Sequence, residues 1–320
     1  GILGGYSGLI ADNMIDLTAR RVSNISYMGG TIIYSDRCPE FKTEEGMQKA
    51  IETCHRNNID AIVAIGGDGT FRGATDLSIR GIPTIGVTGS IDNDITATDY
   101  TVGFDTAMNT VLECVDRLRD TCESHARCNV VEVMGRDCGE IALKTGIASG
   151  AVAIAIPEVP FDEDAAIARI KAAKADGKRG MLVIVSEGVF TADGKPYSEV
   201  LAKKIGAETG VETKFARLAH IVRGGNPTLR DRLTATEMGV FAVDLLLDGK
   251  SDAIVAEIDG KIVSTDIRFA LTTDKMYKKK LKDGQLDGFS AEEIDAMKAI
   301  CAKREADIKR LYDISLGLCR

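Results

Sequence analysis

The stretch "AIVAIGGDGTFRGA", Ala61–Ala74, governs how the rest of the chain is read. An apolar run ends in Gly-Gly-Asp-Gly, and a helix-like segment follows. A short continuous apolar run suits a strand buried on both faces of a parallel sheet. Glycines let the backbone approach a ligand closely, and the free N–H groups that open the next helix favour an anion. A carboxylate among those glycines would repel a bare phosphate. Asp68 makes sense if it is a magnesium ligand, because the metal then neutralises the phosphates. The other reading is a tight turn with Asp68 as helix N-cap.

The same alternation extends outward from this loop. Ile59–Gly67, Gly81–Gly89, Cys128–Gly135, Ala151–Glu158 and Gly180–Gly188 read as buried strands. Amphipathic helices are predicted from Thr43, as N-cap, and from Asp105, also as N-cap, with others near Glu163–Ala175, Ser198–Gly206 and Arg230–Leu247. The first residues, "GILGGYSGLI", read as a strand ending in a turn. The pattern is α/β with mostly parallel sheets in three αβα layers. Residues 1–100 with part of 222–270 are expected to form one lobe and 101–221 a second. The boundary should lie in the loop Thr88–Thr101, and 271–320 should be a C-terminal helical tail, strongly charged from Ala291 to Ile314.

Composition narrows the function classes. A net charge of −8 argues against nonspecific binding to nucleic acid or to an anionic membrane. No apolar run is long enough to span a bilayer and no signal peptide opens the sequence, so a cytoplasmic protein is expected. The cysteines, Cys38, Cys54, Cys114, Cys122, Cys128, Cys138, Cys301 and Cys319, form no C-x-x-C pair and read as reduced, mostly buried thiols. Only His55, His125 and His220 are histidines, too few for a probable zinc centre.

In open α/β sheets ligands bind at the carboxyl ends of strands, and three further strand ends carry polar groups. "TGSIDNDI", Thr88–Ile95, offers Asp92 and Asp94, which an extended backbone would place on one side. One suits a general base on a hydroxyl while the other serves the metal; an Asx-rich turn explains the spacing equally well. "EVMGRDCGEIA", Glu132–Ala142, puts Arg136 in a Gly-flanked turn, and "AHIVRGGNPTLRDR", Ala219–Arg232, brings His220 and Arg223 to another. A metal carboxylate, a base, guanidinium groups and glycine loops together describe phosphoryl transfer. There is no G-x-x-x-x-G-K-[ST] loop and no H-R-D or D-F-G pair, which excludes a P-loop enzyme and a protein kinase.

These stretches, with "GGTIIYSDRCPEF", Pro157-Glu158 and "SEG" at Ser186–Gly188, resemble the bacterial ATP-dependent 6-phosphofructokinase family in order and spacing from about Gly1 to Asp259. "GGDGT" alone also occurs in NAD kinases and lipid kinases, but "SIDND" and "MGRDCG" do not fit those. The resemblance implies two similar lobes, nucleotide-binding and sugar-phosphate-binding, with the active site in the cleft between them. It implies magnesium-dependent transfer of the γ-phosphate of ATP to the 1-hydroxyl of fructose 6-phosphate. It makes Asp92 the base, Asp68 the magnesium-associated carboxylate supported by Asp94, and Arg37 and Arg136 the cations on the transferring group. Ser90, Asp94, Met134, Gly135, Glu187, His220 and Arg223 match the sugar-phosphate pocket; Tyr6, Arg37, Cys38, Gly67, Gly69, Thr70 and Gly73 match the nucleotide side. Arg127 and Lys214 match a pair that a neighbouring subunit donates, which implies a homotetramer, and Arg119 and Lys178 remain from an effector pocket.

Departures are visible too. The family's opening strand, its Gly-Gly-Asp-x-Pro-Gly loop and its first helix have no counterpart from Gly1 onward. Lys214 stands where arginine is usual, Ser90 where threonine is, Arg217 is unexpected near the sugar site, and Asp176 and Val152 replace effector-pocket residues. Pyrophosphate-using relatives carry Asp and Lys where this chain has Gly69 and Gly89, so ATP is expected over pyrophosphate. The readings kept beside the ATP kinase are a pyrophosphate-dependent enzyme and a noncatalytic homologue.

Overall fold

The computed structural model describes residues 1–318; Cys319 lies outside them. In chain order the elements are α1 (Tyr6–Ile10), α2 (Ala19–Val22), α3 (Glu44–Arg56), β1 (Ile62–Gly66), α4 (Asp68–Ile79), β2 (Thr84–Thr88), α5 (Phe104–His125), β3 (Cys128–Val133), α6 (Glu140–Ala148) and β4 (Ala153–Ala155). Then follow α7 (Glu163–Ala175), β5 (Met181–Ser186), α8 (Tyr197–Thr209), β6 (Thr213–Arg217), α9 (Leu229–Leu247), β7 (Ala253–Ile258), β8 (Lys261–Asp266), α10 (Ile267–Tyr277) and α11 (Ala291–Leu318). They divide into two compact units.

The first unit comprises residues 1–90, 95–103 and 225–301. Its sheet has the order β1-β2-β7-β8, parallel except for β8. One face packs against α3, α4 and α10 through Met47, Ile51, Phe71, Leu77, Ile254 and Ile267. The other buries Ile85, Val87 and Val255 against Met238, Ala242 and Leu245 of α9. The β7–β8 hairpin turns at Asp259 and Gly260, both at positive φ (50° and 72°), the geometry that an Asp-Gly pair favours.

The second unit comprises 91–94, 104–224 and the described residues from 302 onward, and its sheet, β4-β5-β3-β6, is wholly parallel. Every residue of β3, β4 and β5 is buried, including Asn129 and Glu132, as parallel strands covered on both faces are. Val130, Val183 and Val185 face α7 and α8 through Ile167, Ile170, Leu201 and Ile205; α5 and α6 cover the opposite face. Each unit is a three-layer αβα sandwich.

The structure corrects several readings. Gly1–Leu3 is not a strand: Ile2 makes one antiparallel bridge to Met14, and Tyr6 already begins a helix. Thr43 does cap α3, accepting from Gly46 N–H. Asp105 lies inside the first turn of α5 and not at its N-cap position, because the helix already includes Phe104. The residues past 271 divide between the units, α10 falling in the first and α11 from Ala302 onward in the second. The seven described cysteines are free thiols.

Candidate active site

In the second unit the polar residues gather where β3 and β5 end. After Val133 the chain turns through Gly135 (φ 150°) and Arg136 (φ 52°). A Cβ at Gly135 would stand 2.3 Å from the Cys138 carbonyl oxygen, so only glycine fits. The turn aims the N–H groups of Gly135 and Arg136 at Glu187 Oε1, at 3.2 and 3.0 Å. Glu187 directly follows β5, so one carboxylate ties the two strand ends together.

Residues 91–94 join this cluster. They form a turn, with Asn93 at φ 52°, and not the extended segment that the i, i+2 spacing suggested. The carboxylates converge all the same: Arg136 Nε is 3.5 Å from Asp92 Oδ2, and Arg136 Nη1 is 3.9 Å from Asp94 Oδ2. Asp92 is only 3% exposed. Burial, then the neighbouring Asp94 charge, pushes its carboxyl up to about 6 despite the opposing pull of Arg136 and Arg223. A buried carboxyl with raised proton affinity beside an exposed guanidinium is suited to accept a proton while the cation meets an anion.

In the first unit the parallel pairing of Gly66 with Thr88 sets the Gly66–Thr70 loop beside Gly89 and Ser90. Gly67 is the N-cap of α4 and Asp68 its first helical residue, so the N-cap reading of Asp68 is not met. Asp68 pairs with Arg72 at 2.9 Å. Burial and Asp274 raise its carboxyl above the usual range, against Lys278 and Arg72. A Cβ added at Gly67 or Gly69 would meet nothing within 4 Å, and neither has positive φ. Nothing in the chain's own packing requires glycine there, so the open space is suited to a ligand. Gly73 is different: a Cβ would lie 2.5 Å from the Tyr6 ring, which stacks on Phe41. Tyr6 Oη in turn donates to the Thr70 carbonyl at 2.5 Å. Gly73 and Tyr6 thus shape the loop by packing beneath it. Magnesium is commonly held by one or two carboxylates plus substrate phosphates, and partly exposed Asp68 beside that open space fits such a role. Among the described residues no group of three or more His, Cys, Asp or Glu forms a metal cage of its own.

The remaining sequence-derived residues lie as follows. Ser90 takes the Thr101 hydroxyl on its carbonyl, Met134 is buried, and Arg37, His220 and Arg223 are exposed, with Cys38 half-buried. Arg217 is committed to Glu132, at 2.5 Å. Arg127 and Lys214 both grip Glu212, at 2.8 and 3.0 Å, and hold its carboxyl down at about 2. This pair sits at the amino ends of β3 and β6, about 20 Å of strand away from Arg136. Arg119, late in α5, donates to the Ser149 carbonyl, and Lys178 is exposed in the loop before β5. Sequence reasoning did not single out Arg72, Glu140 or Arg304. Arg304 is read in sequence as one more charge on a charged helix.

The phosphofructokinase family profile matches residues 1–246. The chain belongs to the phosphofructokinase family. It is 45% identical over 280 residues to an ATP-dependent 6-phosphofructokinase of Clostridioides difficile, covering 88% of this chain and 86% of that protein. It is 48% identical over 271 residues to the enzyme of that name from Brevibacillus brevis, covering 85% and 83%. The structure superposes on phosphofructokinase from Saccharomyces cerevisiae with TM-score 0.82 and 29% identity, over 96% of this chain and 43% of that much longer one. A pyrophosphate-dependent phosphofructokinase from Marinobacter aquaeolei shares the fold at TM-score 0.71 and 21% identity, over 94% and 82%.

Proposed function

We propose that this chain transfers the γ-phosphate of ATP to the 1-hydroxyl of fructose 6-phosphate, giving fructose 1,6-bisphosphate and ADP, a step of glycolysis. The observation that carries the reading is the buried Asp92 carboxylate, titrating at about 6 beside Arg136 at a parallel-strand end. Asp92 takes the hydroxyl proton as the oxygen attacks phosphorus. Arg136 and Arg37 neutralise the equatorial oxygens of the transferring group. Glu187, fixed by two backbone N–H groups, accepts from a sugar hydroxyl, with His220 and Arg223 as further sugar-phosphate ligands. Asp68 would hold magnesium, which when bound supplies positive charge to the nucleotide phosphates. Gly69, where an added Cβ would meet nothing within 4 Å, leaves room for a nucleoside, which supports ATP over pyrophosphate.

Arg127 and Lys214 stand at the wrong end of β3 to serve the Arg136 cluster of their own chain. We place them on the phosphate of a sugar bound to a second copy, so the working form is a homo-oligomer in the cytoplasm, a homotetramer as the resemblance implies. Arg119 and Lys178 belong to an effector site in this reading. The test is magnesium-dependent production of fructose 1,6-bisphosphate with ATP or pyrophosphate as donor. Turnover with ATP and none in an Asp92→Asn chain supports the assignment; turnover only with pyrophosphate, or undiminished turnover without the carboxylate, refutes it.

A further inference from the structure

The turn that carries Asp92 and Asp94 is held from α11. Arg304 Nη2 donates to the Asn93 carbonyl and, at 2.7 Å, to Glu140 Oε1. The other Glu140 oxygen accepts from Asn93 Nδ2 at 3.2 Å and pairs with Lys144 at 2.7 Å. Main chain and side chain of Asn93 are therefore tied into one ring through a guanidinium and a carboxylate. Asn93 is 1% exposed and sits at φ 52°, a left-handed conformation uncommon outside glycine that asparagine adopts more readily than most residues. Fixing its carbonyl fixes the peptide plane between Asn93 and Asp94, and with it the directions in which the two flanking carboxylates leave the backbone.

The position of Arg304 on its helix strengthens the point. Met297, Cys301, Ile308, Tyr312 and Ser315 are the buried stripe of α11, and residue 304 falls on that stripe at helical spacing. Its side chain is 11% exposed, whereas Lys298, Lys309 and Arg310 pair with exposed acids of the same helix. An apolar residue would fill such a place as well or better, because a buried ion pair is weak evidence of stabilisation. Arginine's rigid planar fork suits an orienting role.

We propose that Arg304 is a positioning residue for phosphoryl transfer, acting through the Asn93 carbonyl and Glu140 on the turn that presents Asp92 and Asp94. This rests on the kinase reading above. The test compares the full chain with Arg304→Ala, Arg304→Lys and, as a control on an exposed face, Arg310→Ala. Turnover is measured alongside hydrogen exchange of the 90–98 segment. Arg304→Ala should lower kcat about 10- to 100-fold, the scale of a small misplacement of reacting groups, with KM for fructose 6-phosphate changed less than about threefold. Exchange should quicken at 91–95 and not in β3 or β5. Arg304→Lys, whose ammonium can donate to both acceptors, should recover much of the loss, and Arg310→Ala should match the parent. A kcat for Arg304→Ala within about twofold of the parent would overturn the proposal. So would a loss accompanied by faster exchange throughout the second unit and no recovery with lysine. Should the alanine chain not fold, Arg304→Gln, which keeps one donor and a similar stem, is read by the same criteria. If the parent chain itself shows no turnover, the kinase reading falls, while exchange at 91–95 still decides whether Arg304 holds the turn.

Discussion

Replacing Asp92 by asparagine should abolish turnover and make the protein more stable. The carboxylate is buried, beside Asp94, and its proton affinity is raised from the ordinary 3.8 to about 6. The folded state therefore binds a proton more tightly than the unfolded chain does. Between those two values stability falls as pH rises, because the native state must give up a proton that the unfolded state has already lost. Each factor of ten in proton affinity corresponds to about 1.4 kcal/mol. The ionised side chain therefore destabilises the fold by about 0.6 kcal/mol at pH 4 and by about 3 kcal/mol at pH 7, with no further change at higher pH. Asparagine, nearly the same shape and never charged, escapes this. Urea unfolding of both chains at one fixed chain concentration, from pH 4 to 8, measures the gap. It should open through pH 4–6 and stay level above, while turnover falls by several orders of magnitude. A variant of equal or lower stability at pH 7–8, or a gap that does not grow with pH, would refute the claim that desolvation and Asp94 raise the Asp92 carboxyl to about 6.

The same electrostatics predicts the acid limb of kcat/KM. Asp94→Asn should move its inflection down and Arg136→Gln should move it up, and the sugar phosphate's own titration cannot follow either change; an inflection unmoved in both would assign the limb to the substrate. Gly69→Ala should keep its thermal midpoint but raise KM for ATP, because the added methyl meets no protein atom. Gly73→Ala should lower the midpoint, since overpacking against the Tyr6 and Phe41 rings costs about 1–3 kcal/mol, more than the helix gains from alanine; equal midpoints would contradict the division of these two glycines into ligand-facing and packing roles. Finally, an Asp92→Asn chain and an Arg127→Ala/Lys214→Ala chain, each inactive alone, should regain activity when unfolded and refolded together. No recovery in the mixture would place the basic pair outside the sugar site.

What the sequence disclosed follows from how local each signal is. The strands β2, β3 and β5 are buried throughout and mostly apolar, each is followed within two residues by a glycine, and burial on both faces writes that pattern directly into the chain. β6, "TKFAR", is half-exposed and carries two cations, so its sequence looks like a loop; it is a strand because β3 offers it an edge. The β7–β8 hairpin carried an Asp-Gly signal that was legible and went unread. Asp68 and Arg136 stand out because each lies among glycines past a strand end, and Asp92 because Asp94 shares its short polar run after Gly89. Gly73 shares that neighbourhood but answers to Tyr6 and Phe41, which only the packed structure reveals. Arg304 had no such context, since its partners are some 160 to 210 residues away in sequence, as Glu140 and Asn93, and long-range pairing leaves no local mark. One trace was present even so. An arginine on the apolar stripe of an otherwise regular amphipathic helix is a charge the core must answer, and the answer here is the Glu140 carboxylate together with the Asn93 carbonyl on the turn that carries Asp92 and Asp94. By the same logic Arg127 and Lys214 are uninformative until the sheet gives them a direction. Parallel strands have one polarity, so Arg127 and Lys214 lie at the end of β3 opposite to Arg136, and the proposed second copy is what would bring such groups to one ligand.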